Sequence, residues 1–478
     1  MGSDGSAPLS ARHEAGRQAL LFSLIAALGG FLFGFATAVI NGAVGAIRAH
    51  FDASSLAIGL AVASTLIGGA VGAWFAGGLA DRYGRRRMMF VAAVLFLVSA
   101  IGAGAAPDLV IFAAWRFVGG LGVGIASVVA PAYIAEIAPA AERGRLGSLQ
   151  QLAIASGIFL ALLSDFIIAQ IAGGAGEEFL FDAFAWRWMF WAQAIPAVLY
   201  GLLLFRIPPS PRYLVAKGRD SQAEVVLQSV LGAEAASAEL ADIEHALAAE
   251  SRPRLADLRA RGTGLLPIVW VGIGLALFQQ LSGINVIFYY SAVLWDSVGF
   301  SESASLAITA FTGLTSIVTT LFAIATVDRV GRKPLLLAGS AGMALMLGIL
   351  AIIFGTAPTD AAGQPDLGSV TGPVALVAAN SFVFCFGFSW GPVVWVLLGE
   401  MFPDNIRAVA ISVAAAAHWL ANVLVSATFP WLADAGLGLA YGLYTAAAIL
   451  SFPFVLRFIS ETRGKDLDQM GRVATRNQ

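Results

Sequence analysis

Twelve separate runs of apolar residues, each long enough to cross a lipid bilayer as helix, constrain this chain more than any other feature. Roughly 20 apolar residues span the hydrocarbon core. Such runs occupy about 19–41, 56–79, 88–106, 109–135, 146–170, 188–206, 265–294, 304–327, 334–355, 372–401, 407–431 and 438–459 of the 478 residues. They are continuous, whereas the strands of a membrane barrel alternate over about ten residues, so the chain is expected to be an all-α integral membrane protein. Composition agrees: only 12% of residues are charged, against about 25% in soluble domains. A net charge of −2 provides no basic field for nucleic acid. The single cysteine, Cys385, lies in an apolar run and reads as a packed thiol. Residues 1–18 are polar and the run after them is too long for a secretory h-region, so no cleavable signal peptide of the usual form is expected.

Basic residues orient the spans. Of 28 Lys and Arg, Arg116 lies deep in span 4, Arg48 and Arg187 fall in connections on one side, and the others gather on the opposite side. Cytoplasmic loops collect Lys and Arg. The chain is therefore expected to sit in the cell's inner (plasma) membrane with both termini cytoplasmic. One long polar connection divides it. The expected plan is an N-terminal tail (1–18), a six-helix half (19–206), a cytoplasmic linker with short surface helices (207–264), a second six-helix half (265–459) and a C-terminal tail (460–478).

Two motifs recur in order. "DRYGRRR" (81–87) follows span 2 and "DRVGRKP" (328–334) follows span 8; "EIAPAAER" (136–143) follows span 4 and "EMFPDNIR" (400–407) follows span 10. Paired six-helix repeats mark a class of secondary transporter with its substrate site between the halves. The repeated loops are read as a cytoplasmic latch. Asp81, Arg85, Asp328 and Arg332 meet neighbouring helix ends, while Glu136 with Arg143 and Glu400 with Arg407 pair across helices, closing that side reversibly.

With these blocks in place, the chain resembles the sugar porter branch of the major facilitator superfamily. "GLADRYGRRR", "VGGLGVGIASVVAPAYIAEIAPAAER", "PPSPRYLVAKGR", "QQLSGINVIFYYS", "SWGPVVWVLLGEMFP" and "ETRGK" are family blocks in the right order. It is similar to bacterial glucose and xylose–proton symporters, and more distantly to animal facilitative glucose transporters. The glycines of "GGLGVG" lie in an apolar helix with no strand before them, so they are not a dinucleotide loop.

The resemblance implies alternating-access transport of a monosaccharide, with glucose the favoured substrate, by a monomer without cofactor, metal or enzymatic activity. A sugar bristles with hydroxyls that both donate and accept, so its site wants amide side chains and an aromatic face. Gln279, Gln280 and Asn285 of span 7 supply the amides, with Gly283 and Pro267 letting that span bend. The family pattern adds Gln151 and Trp395, then Phe33, Tyr289, Trp419 and Asn422. Trp390 reads as structural. Ser316 stands where relatives often have Asn, and His418 where close relatives have Gln. His418 reads as a cavity-lining ligand rather than a proton carrier. A buried Arg116 needs an acidic or carbonyl partner. In proton-coupled relatives that partner is an Asp of span 1, and the matching position here is Ala36. Asp165, toward the outer end of span 5, is poorly placed to replace it. Three readings fit: facilitative uniport, proton symport through another group, or a former symporter in which Ala36 is a substitution. A sugar receptor that kept the fold would be expected to carry a long tail, unlike residues 460–478.

Overall fold

Nineteen α-helices make up the regular structure of the computed structural model, which describes residues 9–139, 142–249, 255–259, 264–358, 367–403 and 406–462. Among the described residues, twelve spans are long and apolar enough to cross a membrane. The first six are built from α1 (Leu9–Ala38) with α2 (Ile40–His50), α3 (Ser55–Tyr83), α4 (Arg85–Gly104), α5 (Leu109–Ile137), α6 (Arg143–Ala172), and α7 (Ala185–Ala192) with α8 (Ala194–Leu203). Between the sixth and seventh spans lie α9 (Pro211–Ala216), α10 (Asp220–Leu231) and α11 (Ala233–Ala249), where surface helices are expected. The last six comprise α12 (Pro267–Leu281) with α13 (Ile284–Asp296), α14 (Glu302–Val330), α15 (Arg332–Thr356), α16 (Gly368–Phe388) with α17 (Trp390–Met401), α18 (Arg407–Ala435) and α19 (Leu437–Phe458).

The spans overrun the apolar runs. The first extends over Glu14–His50, so Arg48 belongs to a helix, not to a connection, and Arg187 likewise sits in the first turn of α7. Polar residues can extend a helix past the apolar run because its backbone stays hydrogen-bonded internally. Matching ends also recur. Ser54 caps α3 by accepting from the Ala57 amide, and Ser301 caps α14 by accepting from the Ala304 amide, both at 3.3 Å. The glycines of the two D-R-x-G-R loops, Gly84 and Gly331, turn the chain at φ +94° and +102°, a region that side chains avoid. The "GGLGVG" glycines have a packing role: a Cβ on Gly120 would meet the Gly68 Cα at 2.9 Å, and one on Gly124 would meet Gly69 and Ala73 backbone. They let α3 and α5 pack backbone to backbone, as small residues do between membrane helices.

The two ends of the bundle differ. At the end away from the termini, the first and last six spans press together. Asn41 donates to the Ile287 carbonyl and Ser291 Oγ, both at 3.1 Å, and accepts from the Ala292 amide at 2.9 Å. Arg48 lies 3.9 Å from Asp434, and Ser55 donates to the same carboxylate. Gly59 packs against the Ala427 carbonyl so closely that no Cβ fits. At the termini end, the ion pairs of Arg85 with Glu136 and of Arg332 with Glu400 each lie within one set of six spans. Gly59→Leu is therefore expected to wedge α3 from α18 and open the far seam, read as faster hydrogen exchange over residues 40–50 and 427–435.

Candidate functional site

Span 7 breaks where its sequence predicts. Gly283 takes φ +77° between α12 and α13, and the Tyr444 ring leaves no room for a Cβ there. Pro267 plays no part in the break, because it occupies the first turn of α12, where its missing N–H costs nothing. The break presents three amides to α18 and to the broken span of α16 and α17. Asn285 donates to Gln280 Oε1. Gln280 Nε2 lies 3.1 Å and 3.3 Å from the two His418 ring nitrogens, and His418 Nδ1 lies 3.0 Å from Gln279 Oε1. Gln279 Nε2 then donates to the Trp390 and Gly391 carbonyls at 2.8 and 3.1 Å.

One assignment satisfies every partner: a neutral His418 that donates from Nδ1 to Gln279 and accepts at Nε2 from Gln280. The chain then runs in one direction, from Asn285 through Gln280, His418 and Gln279 to the α17 backbone. A neutral imidazole relays hydrogen bonds here as a glutamine would, so the histidine changes the sidechain and keeps the pattern. The second N–H of Gln280 and the Asn285 carbonyl oxygen are left for another partner. Trp395 stands against this network, its ring 5.1 Å from the His418 ring, with 39% of its surface exposed. Trp419 flanks the histidine from the other side at 6.0 Å. Trp390 is buried and donates to the Leu336 carbonyl and Ser340, a structural role as expected.

Other expected residues lie apart from this cluster. Asn422 accepts from Ser426 at 3.2 Å and meets Tyr289, which faces Arg116. Phe33, Gln151 and Ser316 are half-buried, and the network does not reach them among the described residues. Two residues were not anticipated. Gln150, next to Gln151, is buried with neither amide atom hydrogen-bonded, packed so that a Cβ on Gly30 would lie 2.7 Å from its Nε2. Asn41 forms the cross-seam clamp described above. Their signal in sequence is only a polar amide inside an apolar run.

Arg116 finds the carbonyl type of partner. Its Nη1 donates to the Ala36 carbonyl at 2.7 Å, its guanidinium lies 5.4 Å from the Phe190 ring centre, and its Nε is unpaired. A small gap lined by Thr37, Val62, Thr65, Leu66 and Tyr289 adjoins it. The loop motifs make these pairs. Glu136 binds Arg85 at 3.0 Å, and Arg85 also binds Asp81 at 2.8 Å. Glu400 binds Arg332 at 2.8 Å and accepts from Thr462 at 2.6 Å. Arg407 donates to the Phe402 carbonyl at 3.1 Å. Glu–Arg pairs thus join the E-x-x-P motif to the D-R-x-G-R motif, because each arginine that opens α4 or α15 points at the neighbouring helix end. The side chains of Arg143 and Asp328 lie outside the described residues.

Comparison with known proteins agrees with this architecture. Residues 22–474 match the family model "Sugar (and other) transporter". The chain is 58% identical, over 94% of its length and 96% of the relative's, to the glucose transport protein of Synechocystis sp. (strain ATCC 27184 / PCC 6803 / Kazusa). It is 37% identical, over 94% of both chains, to the D-xylose-proton symporter of Escherichia coli (strain K12). The inward open structure of the xylose transporter XylE from E. coli matches with a TM-score of 0.79, at 35% identity, over 94% of this chain and 98% of that one.

Proposed function

Because this chain belongs to the sugar (and other) transporter family, the sugar porters of the major facilitator superfamily, we propose that it carries glucose across the plasma membrane by alternating access, as a facilitative uniporter. Sugar transport itself comes with the family. The choice of glucose is supported by the 58% identity to a glucose transport protein. The one-way hydrogen-bond chain from Asn285 to the α17 backbone carries the reading. It fixes three amides in place before substrate arrives, so little ordering entropy remains for binding to spend, and the exposed ring of Trp395 offers a face for the sugar's C–H side.

With the termini cytoplasmic, the closed far seam is the extracellular one, so in this reading the site exchanges sugar with the cytoplasm. Sugar leaves on that side; the latch pairs of Arg85 and Arg332 then reorganise as the two six-helix halves rock. The uniport reading rests on Arg116. Its partner is a backbone carbonyl that binds no proton, so the arginine is not linked to pH through residue 36. The contrary reading, proton symport, draws on the printed function of the xylose relative. Uptake of labelled glucose into proteoliposomes decides between them. Glucose is expected to compete better than xylose or arabinose, and internal glucose is expected to stop at the external concentration even under an inside-alkaline gradient. Accumulation beyond that level would refute uniport.

A further inference from the structure

Among the described residues, Asp165 is the one fully buried acid, and transport as described gives it no role. It sits in α6 about 10 Å inside the end of the helix, seven residues before Ala172 at 1.5 Å per residue. The residue has no exposed surface. Its Oδ2 accepts a single, long hydrogen bond, 3.3 Å from the Gly42 amide, and its Oδ1 has no partner. Gly42 must be glycine for this approach, since a Cβ there would lie 2.8 Å from Oδ2.

Among the described residues, the charged groups on the elements packed against α6 are engaged elsewhere or exposed at the termini end. On α2, Arg48 is with Ser55 and Asp434, and His50 lies among the rings of Phe51, Phe184 and Trp186. On α5, Arg116 holds the Ala36 carbonyl and Glu136 holds Arg85. On α7, Arg187 donates to the Gly104 and Ala106 carbonyls; on α14, Glu302 accepts from the Ala175 amide. Glu14 and Arg17 of α1 are exposed at the termini end, as is Arg329 of α14. A carboxylate shut away from water with one amide donor and no cation is held at severe cost, and the neutral acid avoids it.

Gly42 is next to Asn41, whose side chain makes three of the bonds that close the far seam. We propose that Asp165 is a proton-binding site whose loading is linked to closure of that seam. When the seam opens, water reaches the carboxyl and it gives its proton to that water. When α2 returns against α13 and α6, the carboxylate takes a proton back from the water being expelled. Each closure thus consumes one proton that each reopening on the same side returns, which makes the cycle pH-sensitive without driving accumulation. The inference rests on the transport reading for its consequence, but not for its existence.

Two measurements on the full-length protein test it. In purified protein, the infrared C=O stretch of a protonated carboxyl is expected at neutral pH and is expected to be missing from Asp165→Asn. In proteoliposomes with equal pH inside and out, glucose counterflow by the unsubstituted chain is expected to fall by up to about tenfold per pH unit in the alkaline range, the limit for one linked proton. Asp165→Asn, a neutral isostere, is expected to stay active with a flat profile. The inference is overturned if the infrared band survives the substitution, or if both proteins share one pH profile. The spectrum needs no sugar, so absence of glucose counterflow would sink the transport reading alone.

Discussion

Gln280→Ala is expected to weaken glucose binding about a hundredfold, from roughly 3 kcal/mol of lost and stranded hydrogen bonds. Gln280 is the middle of the polar chain. Its oxygen receives the Asn285 amide and its nitrogen reaches His418. Truncation removes an amide whose second N–H is left for a sugar hydroxyl and also frees Asn285 to rotate away. The fold is expected to survive, since Gln280 touches no backbone in this network. Gln279→Ala makes the contrast: that residue holds the Trp390 and Gly391 carbonyls at the start of α17, so its loss is expected to lower the melting temperature as well as the affinity. Isothermal titration of glucose against purified protein, beside thermal melts of both variants, separates the two roles. Unchanged affinity in Gln280→Ala would remove α12 from the sugar site.

Ala36→Asp is expected to convert the carrier to gradient-driven uptake. Residue 36 is buried, and its carbonyl already lies 2.7 Å from Arg116 Nη1. A carboxylate in that place would compete for the guanidinium, whose Nε is unpaired, and on protonation would release it. An ion pair made and broken once per cycle ties one proton to one sugar, and supports accumulation of about tenfold for each pH unit of gradient. Adding Arg116→Leu should return the ratio to one, because without the guanidinium no ion pair ties the carboxyl's proton to the sugar. Labelled glucose accumulation in proteoliposomes reads all three proteins. Equal accumulation in the unsubstituted chain and Ala36→Asp would show that residue 36 does not set the coupling.

The membrane architecture was legible in the sequence because hydrophobic length is a one-dimensional signal that neighbours scarcely alter. The break in span 7 was legible too, since a Gly between polar residues in an apolar run has few other uses. Less legible was pairing. Glu136 and Glu400 also bind the arginines that open α4 and α15, contacts the sequence did not point to, made by helix ends meeting in space. The misplacement of Arg48 and Arg187 has a different cause: helix continues past the apolar run wherever backbone bonding stays internal. Pro267 misled because a proline bends a helix only from its interior. Gln150, Asn41 and the isolation of Asp165 had no usable signal, since which buried polar groups find partners is a property of the packed bundle. His418 shows the reverse case. It departs from the family pattern by residue type, but its two ring nitrogens reproduce the donor and acceptor that the position needs.

The most direct test of a glucose carrier built on the Asn285–Gln280–His418–Gln279 chain is counterflow in proteoliposomes loaded with unlabelled glucose. Protein-dependent, saturable entry of labelled glucose that Gln280→Ala abolishes is the predicted result. Entry no faster than in protein-free vesicles, or equal entry with and without the Gln280 amide, would contradict it.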